Sequence, residues 1–218
     1  MPHPLLLVPT GLERRVIEPV VTAAAAEIRI ELCGFGPVVA AARTAELIAA
    51  CRPGRVLLVG IAGRLDERLA IGSAHGFAHV TCDGIGVGSG DGHTSAERLG
   101  WSQWPGSSGD PTTRIGDTLP CSSGRLPADV QAGLLLTVCS AAADPADAQT
   151  RRRRHPDALA EEMEGFGVAA ACRLAGVPLD IVRGISNTAG DRDKASWRVD
   201  DACRAAATLA ATLLGGRP

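Results

Sequence analysis

Apolar residues gather in short runs that do not alternate with polar ones: Leu5–Val8, Val56–Val59, Leu134–Cys139 and, broken by Asp180 and Arg183, Leu179–Ile185. A strand with one wet face alternates, so these runs predict strands covered on both faces. Between them lie alanine-rich stretches, about residues 13–27, 37–51, 164–175 and 195–214, whose apolar positions recur at helical spacing. Strand alternating with helix predicts an α/β sandwich. Gly34-Phe-Gly-Pro37 and Gly60-Ile-Ala-Gly63 read as turns beside strands, where missing side chains let backbone amides approach a ligand; ordinary connection geometry accounts for them as well. From Asp83 to Ala128 the chain turns rich in Gly, Ser, Asp, Thr and Pro, with Trp101 and Trp104 embedded, and predicts a long irregular insertion of functional loops.

Composition acts mainly by exclusion. A chain of 218 residues with 45% hydrophobic content suits one domain, expected over residues 1–218. The formal net charge of -2 and 3% aromatic content offer neither a basic surface nor stacking rings, which argues against nucleic acid as a partner. The basic run Arg151–Arg154 reads as a solvated helix face, with an anionic substrate or partner as the other reading. Seven cysteines, at 33, 51, 82, 121, 139, 172 and 203, include no Cys-x-x-Cys pair and read as small core residues in a reducing compartment. The first residues lack the charge and apolar length of a secretory signal, and no apolar run reaches spanning length, so a cytoplasmic protein without membrane contact is expected.

Several chemistries find no support. There is no Gly-x-Gly-x-x-Gly with an acidic residue downstream, so no nicotinamide or flavin cofactor is expected. His75 and His79 lack an intervening Glu and a third ligand, so no metal is expected. No Gly-x-Ser-x-Gly elbow is present.

The positive candidates are polar residues set in apolar surroundings. Glu162, Met163 and Glu164 precede a helix, where carboxylates either favour the helix dipole or face a ligand. Arg183 interrupts an apolar strand, and a buried arginine needs anionic or polar partners; a structural ion pair and a functional role both satisfy it. The same strand ends in Ser186 and Asn187.

These residues stand in four segments: Leu5-Leu-Leu-Val-Pro-Thr-Gly-Leu-Glu13, Gly60–Gly63, Met163-Glu-Gly-Phe-Gly-Val-Ala-Ala170 and Val182-Arg-Gly-Ile-Ser-Asn187. In this order they resemble the nucleoside phosphorylase and nucleosidase superfamily. The tail Asn187-Thr-Ala-Gly-Asp-Arg-Asp-Lys-Ala-Ser-Trp197 resembles its futalosine hydrolase branch, which serves the alternative menaquinone pathway.

The resemblance implies a single-domain, three-layer α/β/α sandwich with a mixed, partly barrel-like central sheet. It implies that Met163 and Glu164 bind ribose, a carboxylate having the acceptor oxygens to hold two hydroxyls. Glu13 would activate water and Arg183 would orient it, while Glu162, Ala62, Gly63 and Ser186 line the site. Ala141 falls near the position of a base-stacking aromatic, and Phe166 would restore that surface, a core role being the other reading. Asn187 stands where adenine-releasing relatives carry a proton-donating aspartate. An amide cannot transfer that proton but can hydrogen-bond a 6-oxopurine.

The expected reaction is therefore hydrolysis of a purine nucleoside without a cofactor, by a homo-oligomer, expected as a dimer. Phosphorolysis, adenine-nucleoside hydrolysis and non-catalytic nucleoside binding are the alternatives.

Overall fold

The computed structural model describes residues 3–25, 27–107, 110–121 and 131–215. The N-terminal part runs β1 (Leu5–Val8), α1 (Gly11–Ala24), β2 (Arg29–Leu32), α2 (Pro37–Cys51), β3 (Val56–Arg64) and β4 (Ala74–Cys82). Two short strands, β5 (Gly86–Val87) and β6 (Thr94–Ser95), pair with each other, and β7 (Thr118–Pro120) follows. The C-terminal part runs β8 (Gln131–Thr137), α3 (Pro145–Arg154), β9 (Ala158–Glu162), α4 (Gly165–Ala175), β10 (Leu179–Thr188) and α5 (Val199–Leu213).

The main sheet is mixed and partly closed. β3 pairs parallel with β10, β10 antiparallel with β4, β4 parallel with β8, β8 parallel with β9, and β9 antiparallel with β3 again. Five strands thus form a ring. β3 can serve three neighbours because it is long: its first residues, Val56–Leu58, also pair with β1, while Gly63 and Arg64 pair with β9. β1 in turn carries β2, and β7 adds to β4.

The apolar runs are covered on both sides, as their pattern predicted. Leu5, Leu7, Val56, Leu58 and Ile181 face one core, shared with Val168 and Cys172 of α4 and with Ala40 and Leu47 of α2. Leu6, Val8, Leu57, Val59 and Val182 face the other, with Ile17 and Val21 of α1 and Cys203, Ala206 and Ala210 of α5. This is the expected three-layer α/β fold.

Helix boundaries follow local chemistry. Thr10 caps α1, Pro37 occupies the first turn of α2, Asp144 accepts from Asp147 N to start α3, and Gly176 ends α4 at φ 65.

The structure differs from the pattern in four places. Gly60–Gly63 is not a turn but the continuation of β3. Glu162 ends a strand, so it does not sit in a helix's first turn. The helix expected from residue 195 begins at Val199, residues 195–198 belonging to a hydrogen-bonded loop. The arginine run is a solvated face only in part: Arg152 and Arg153 are exposed, the latter meeting Asp91, but Arg151 is buried against Glu161 and the Ser140 carbonyl, and Arg154 meets Asp83. In the predicted insertion, residues 83–107 and 110–121 are short strands, turns and 3-10 helices; residues 108–109 and 122–128 lie outside the described residues.

Candidate active site

A cavity of about 390 Å³ opens where the ends of β1, β3, β9 and β10 approach the start of α1. Glu13, Ala62, Gly63, Glu162, Met163, Glu164, Ser186 and Asn187 all border it, although they come from four separate parts of the sequence.

Glu13 is set by a Thr-x-x-Glu helix start. The Thr10 hydroxyl accepts from Glu13 N at 3.3 Å and donates to Glu13 Oε2 at 2.6 Å. Glu13 Oε1 accepts from Ile61 N at 3.0 Å, which ties the carboxylate to β3. Only 5% exposed, Glu13 is a buried carboxylate at the cavity and not a solvated helix residue.

Arg183 lies beneath the cavity and is completely buried. Its Nη2 donates to Glu162 Oε2 and, at 3.2 Å, to Glu164 Oε2. Nε and Nη1 have no hydrogen-bond partner among the described residues. A side chain at Gly60 would intrude here: its Cβ would stand 2.2 Å from Arg183 Nη1 and 2.8 Å from Glu13 Oε1. The glycine keeps open the space across which the guanidinium faces Glu13.

Glu162 and Glu164 divide the work. Glu162 accepts from Thr137 Oγ1, from Gly165 N at 3.0 and 2.8 Å, from Glu164 N at 3.0 Å and from Arg183. With both oxygens accepting hydrogen bonds it anchors the start of α4 while it borders the cavity. Among the described residues Glu164 accepts only from Gly36 N at 3.2 Å and from Arg183, which leaves lone pairs for a ligand. Burial pushes the Glu164 carboxyl up to about 7; Arg183 opposes this, and Glu162 adds to it. Met163 borders the cavity beside it.

Asn187 is aimed by a bulge. In the pairing of β10 with β3, Ile185 matches Ala62 and Asn187 matches Gly63, so Ser186 is one residue extra. Neighbouring side chains on a regular strand point to opposite faces. Here Ser186 and Asn187 border the same cavity, and Ser186 Oγ donates to Asn187 Oδ1 at 2.7 Å. Asn187 Nδ2 donates to the Thr188 carbonyl at 2.9 Å. The second N–H of that amide is left for a ligand.

Phe166 does not border the cavity. It is packed in the core between sheet and helices, so it supplies no stacking surface. Leu12, Phe35, Arg192, Lys194 and Trp197 border the cavity and were not singled out as lining residues. Leu12 and Phe35 are 58% and 64% exposed, and apolar residues on exposed helix starts and bends carry no periodic signal.

The profile of the phosphorylase superfamily matches residues 12–215, which include every residue bordering the cavity except Pro9 and Thr10. The chain belongs to the phosphorylase superfamily. Within that superfamily it is similar to futalosine hydrolase of Streptomyces coelicolor, 36% identical over 177 residues that cover 79% of this chain and 72% of that protein. It is also similar to 5'-methylthioadenosine/S-adenosylhomocysteine nucleosidase of Chromohalobacter salexigens, 29% identical over 175 residues with the same two coverages of 79% and 72%. The native structure of futalosine hydrolase of Helicobacter pylori matches with a TM-score of 0.75 over 99% of this chain and 97% of that one. At 19% identity, that last likeness speaks for the superfamily fold.

Proposed function

We propose that this protein is a nucleosidase that hydrolyses the N-ribosidic bond of futalosine, releasing hypoxanthine and leaving dehypoxanthine futalosine. The observation that carries the reading is Asn187, an amide held by Ser186 with a free N–H at the cavity. An amide stabilises a leaving base without protonating it, which suits a 6-oxopurine whose negative charge spreads onto the exocyclic oxygen. The similarity to futalosine hydrolase of Streptomyces coelicolor supports the same substrate.

In this mechanism Glu13 takes a proton from water as the water oxygen bonds C1′. The C1′–N9 bond breaks and its electron pair goes to the purine. Glu164 holds the ribose hydroxyls, and its charge lies near the positive charge that develops on the sugar. Arg183, paired to Glu162 and Glu164, holds the carboxylates in place. No helix among the described residues is long and apolar enough to cross a membrane, and we place the reaction in the cytoplasm. Leu12 and Phe35, apolar and exposed at the cavity with Val38 and Val39 nearby, support a dimer that covers them.

The test is base release from futalosine, inosine and methylthioadenosine in phosphate-free buffer. Hypoxanthine released from futalosine in preference to the other two is the expected result. Release that requires added phosphate makes the protein a phosphorylase, and release from methylthioadenosine makes it an adenine nucleosidase. Binding without release makes it a nucleoside-binding protein.

A further inference from the structure

The cavity is acidic at depth and basic at one part of its rim. Glu13, Glu161, Glu162 and Glu164 border it, each 5% exposed or less. The two cations among its lining residues are Arg192 and Lys194, both exposed. Lys194 is the one lysine in a chain that otherwise draws its basic residues from arginine.

Most arginines in this protein are paired with carboxylates, from Arg14 with Glu18 to Arg204 with Asp200. Arg192 and Lys194 are not: among the described residues neither side chain makes an ion pair or a hydrogen bond, and Arg192 lies over the Trp197 ring at 5.4 Å. The acidic neighbours are occupied within the loop itself. Asp191 accepts from Asp193 N at 2.9 Å and Ser196 Oγ at 2.8 Å, and Asp193 accepts from Ala195 N at 3.1 Å. Trp197 Nε1 donates to the Asp191 carbonyl at 3.1 Å, and Arg198 N donates to the Ser186 carbonyl at 2.9 Å. The loop is therefore pinned to the bulge that aims Asn187, with Arg192, Lys194 and Trp197 at the cavity.

This arrangement discriminates by charge. A neutral nucleoside meets carboxylates that suit its hydroxyls and the positive charge developing on its sugar. A nucleoside that carries its own carboxylate is repelled by the same groups unless cations receive that carboxylate elsewhere in the cavity. We propose that Arg192, Lys194 and Trp197 form a reader for a flat, anionic substituent on the 5′ carbon of the nucleoside. The carboxylate lies between the two cations, and the apolar part of the substituent lies against Trp197. This reader rests on the nucleosidase reading above and names the part of the substrate that the base and ribose contacts leave open.

The experiment compares futalosine with its neutral carboxyl methyl ester on the wild type and on R192A/K194A, measuring kcat/KM at low and high salt. The expected wild type prefers the acid, and salt weakens that preference. The double variant loses about tenfold more on the acid than on the ester, as expected for two partly exposed charge contacts. Equal wild-type turnover of acid and ester, or equal losses on both in the variant, overturns the reader and leaves the nucleosidase reading standing. If the wild type cleaves neither compound, the nucleosidase reading fails and the reader falls with it. A variant that has lost its fold is recognised by its melting transition, and the single variants R192Q and K194Q then carry the comparison, with the same acid-selective loss expected.

Discussion

The amide of Asn187 reaches the cavity with its carbonyl taken by Ser186 and one N–H taken by Thr188, so its other N–H is what a leaving base meets. Replacing Asn187 with Asp removes that donor, and hypoxanthine release should fall by about 10²–10³-fold. An acid at the same place can protonate N7, so adenine release from 6-amino analogues should rise; chromatography of the freed base measures both. Ser186→Ala frees the amide to turn, and a loss in kcat with little change in KM is expected. Glu13→Gln keeps the Thr10 and Ile61 contacts possible but cannot take a proton, and about 10²–10⁴-fold slower base release is expected in single-turnover assays. For Glu164 the sign follows from a carboxyl raised to about 7 in the folded protein from an ordinary 4.5. The stability it contributes is complete below 4.5 and is lost as pH rises through about 7. The melting temperature of E164Q should therefore gain on the wild type between those limits. A difference that is flat or falls with pH would contradict this. Arg183 stood out in the sequence as a charge inside an apolar strand, whereas Glu164 and Asn187 stood out only as members of the segments that resemble the superfamily. Glu162 was legible as a position but not as a role, since its four donors come from three separate segments that only the fold brings together.

Strand β10 carries Arg183, Ser186 and Asn187 and is also a place where a helix packs tightly on the sheet. A Cβ on Gly184 would stand 2.0 Å from the Ala202 carbonyl of α5. Because that neighbour is backbone, Gly184→Ala must push α5 outward. A loss of about 3 kcal/mol is expected at the upper range of overpacking, or a fall of roughly 6–12 °C in Tm for a chain of this size. Activity should fall with it, because the loop before α5 is fastened to Ser186. The sequence revealed β10, β1 and the first half of β3 through their apolar runs. It hid β4, whose His75, Gly76 and His79 break the run, and β9, which ends in two buried carboxylates whose partners are distant in sequence. The bulge at Ser186 left no mark in composition either: it is a matter of register, and register exists only between strands.

The architecture as a whole was predictable at the level of layers and less so at the level of closure. Runs covered on both faces required helices on both sides of a sheet. That the sheet closes depends on β3 being long enough to serve β1, β9 and β10, which appeared in the sequence as a strand followed by a glycine turn. Closure leaves no unpaired edge within the ring, so amides at Leu58–Ile61 and at Ile181–Gly184 should exchange with solvent only on global unfolding. Those of residues 191–198, tied mainly by local bonds, should exchange faster, and hydrogen-exchange mass spectrometry can separate the two. The same closure has a consequence during synthesis. β3 is complete at residue 64, but β10, which must lie beside it, begins at residue 179. At a synthesis rate of about 5–20 residues per second, roughly 6–23 s separate the two. For that interval the nascent chain holds an apolar strand with one side unpaired, so the ribosome-bound protein is a client for chaperones until its last third has emerged.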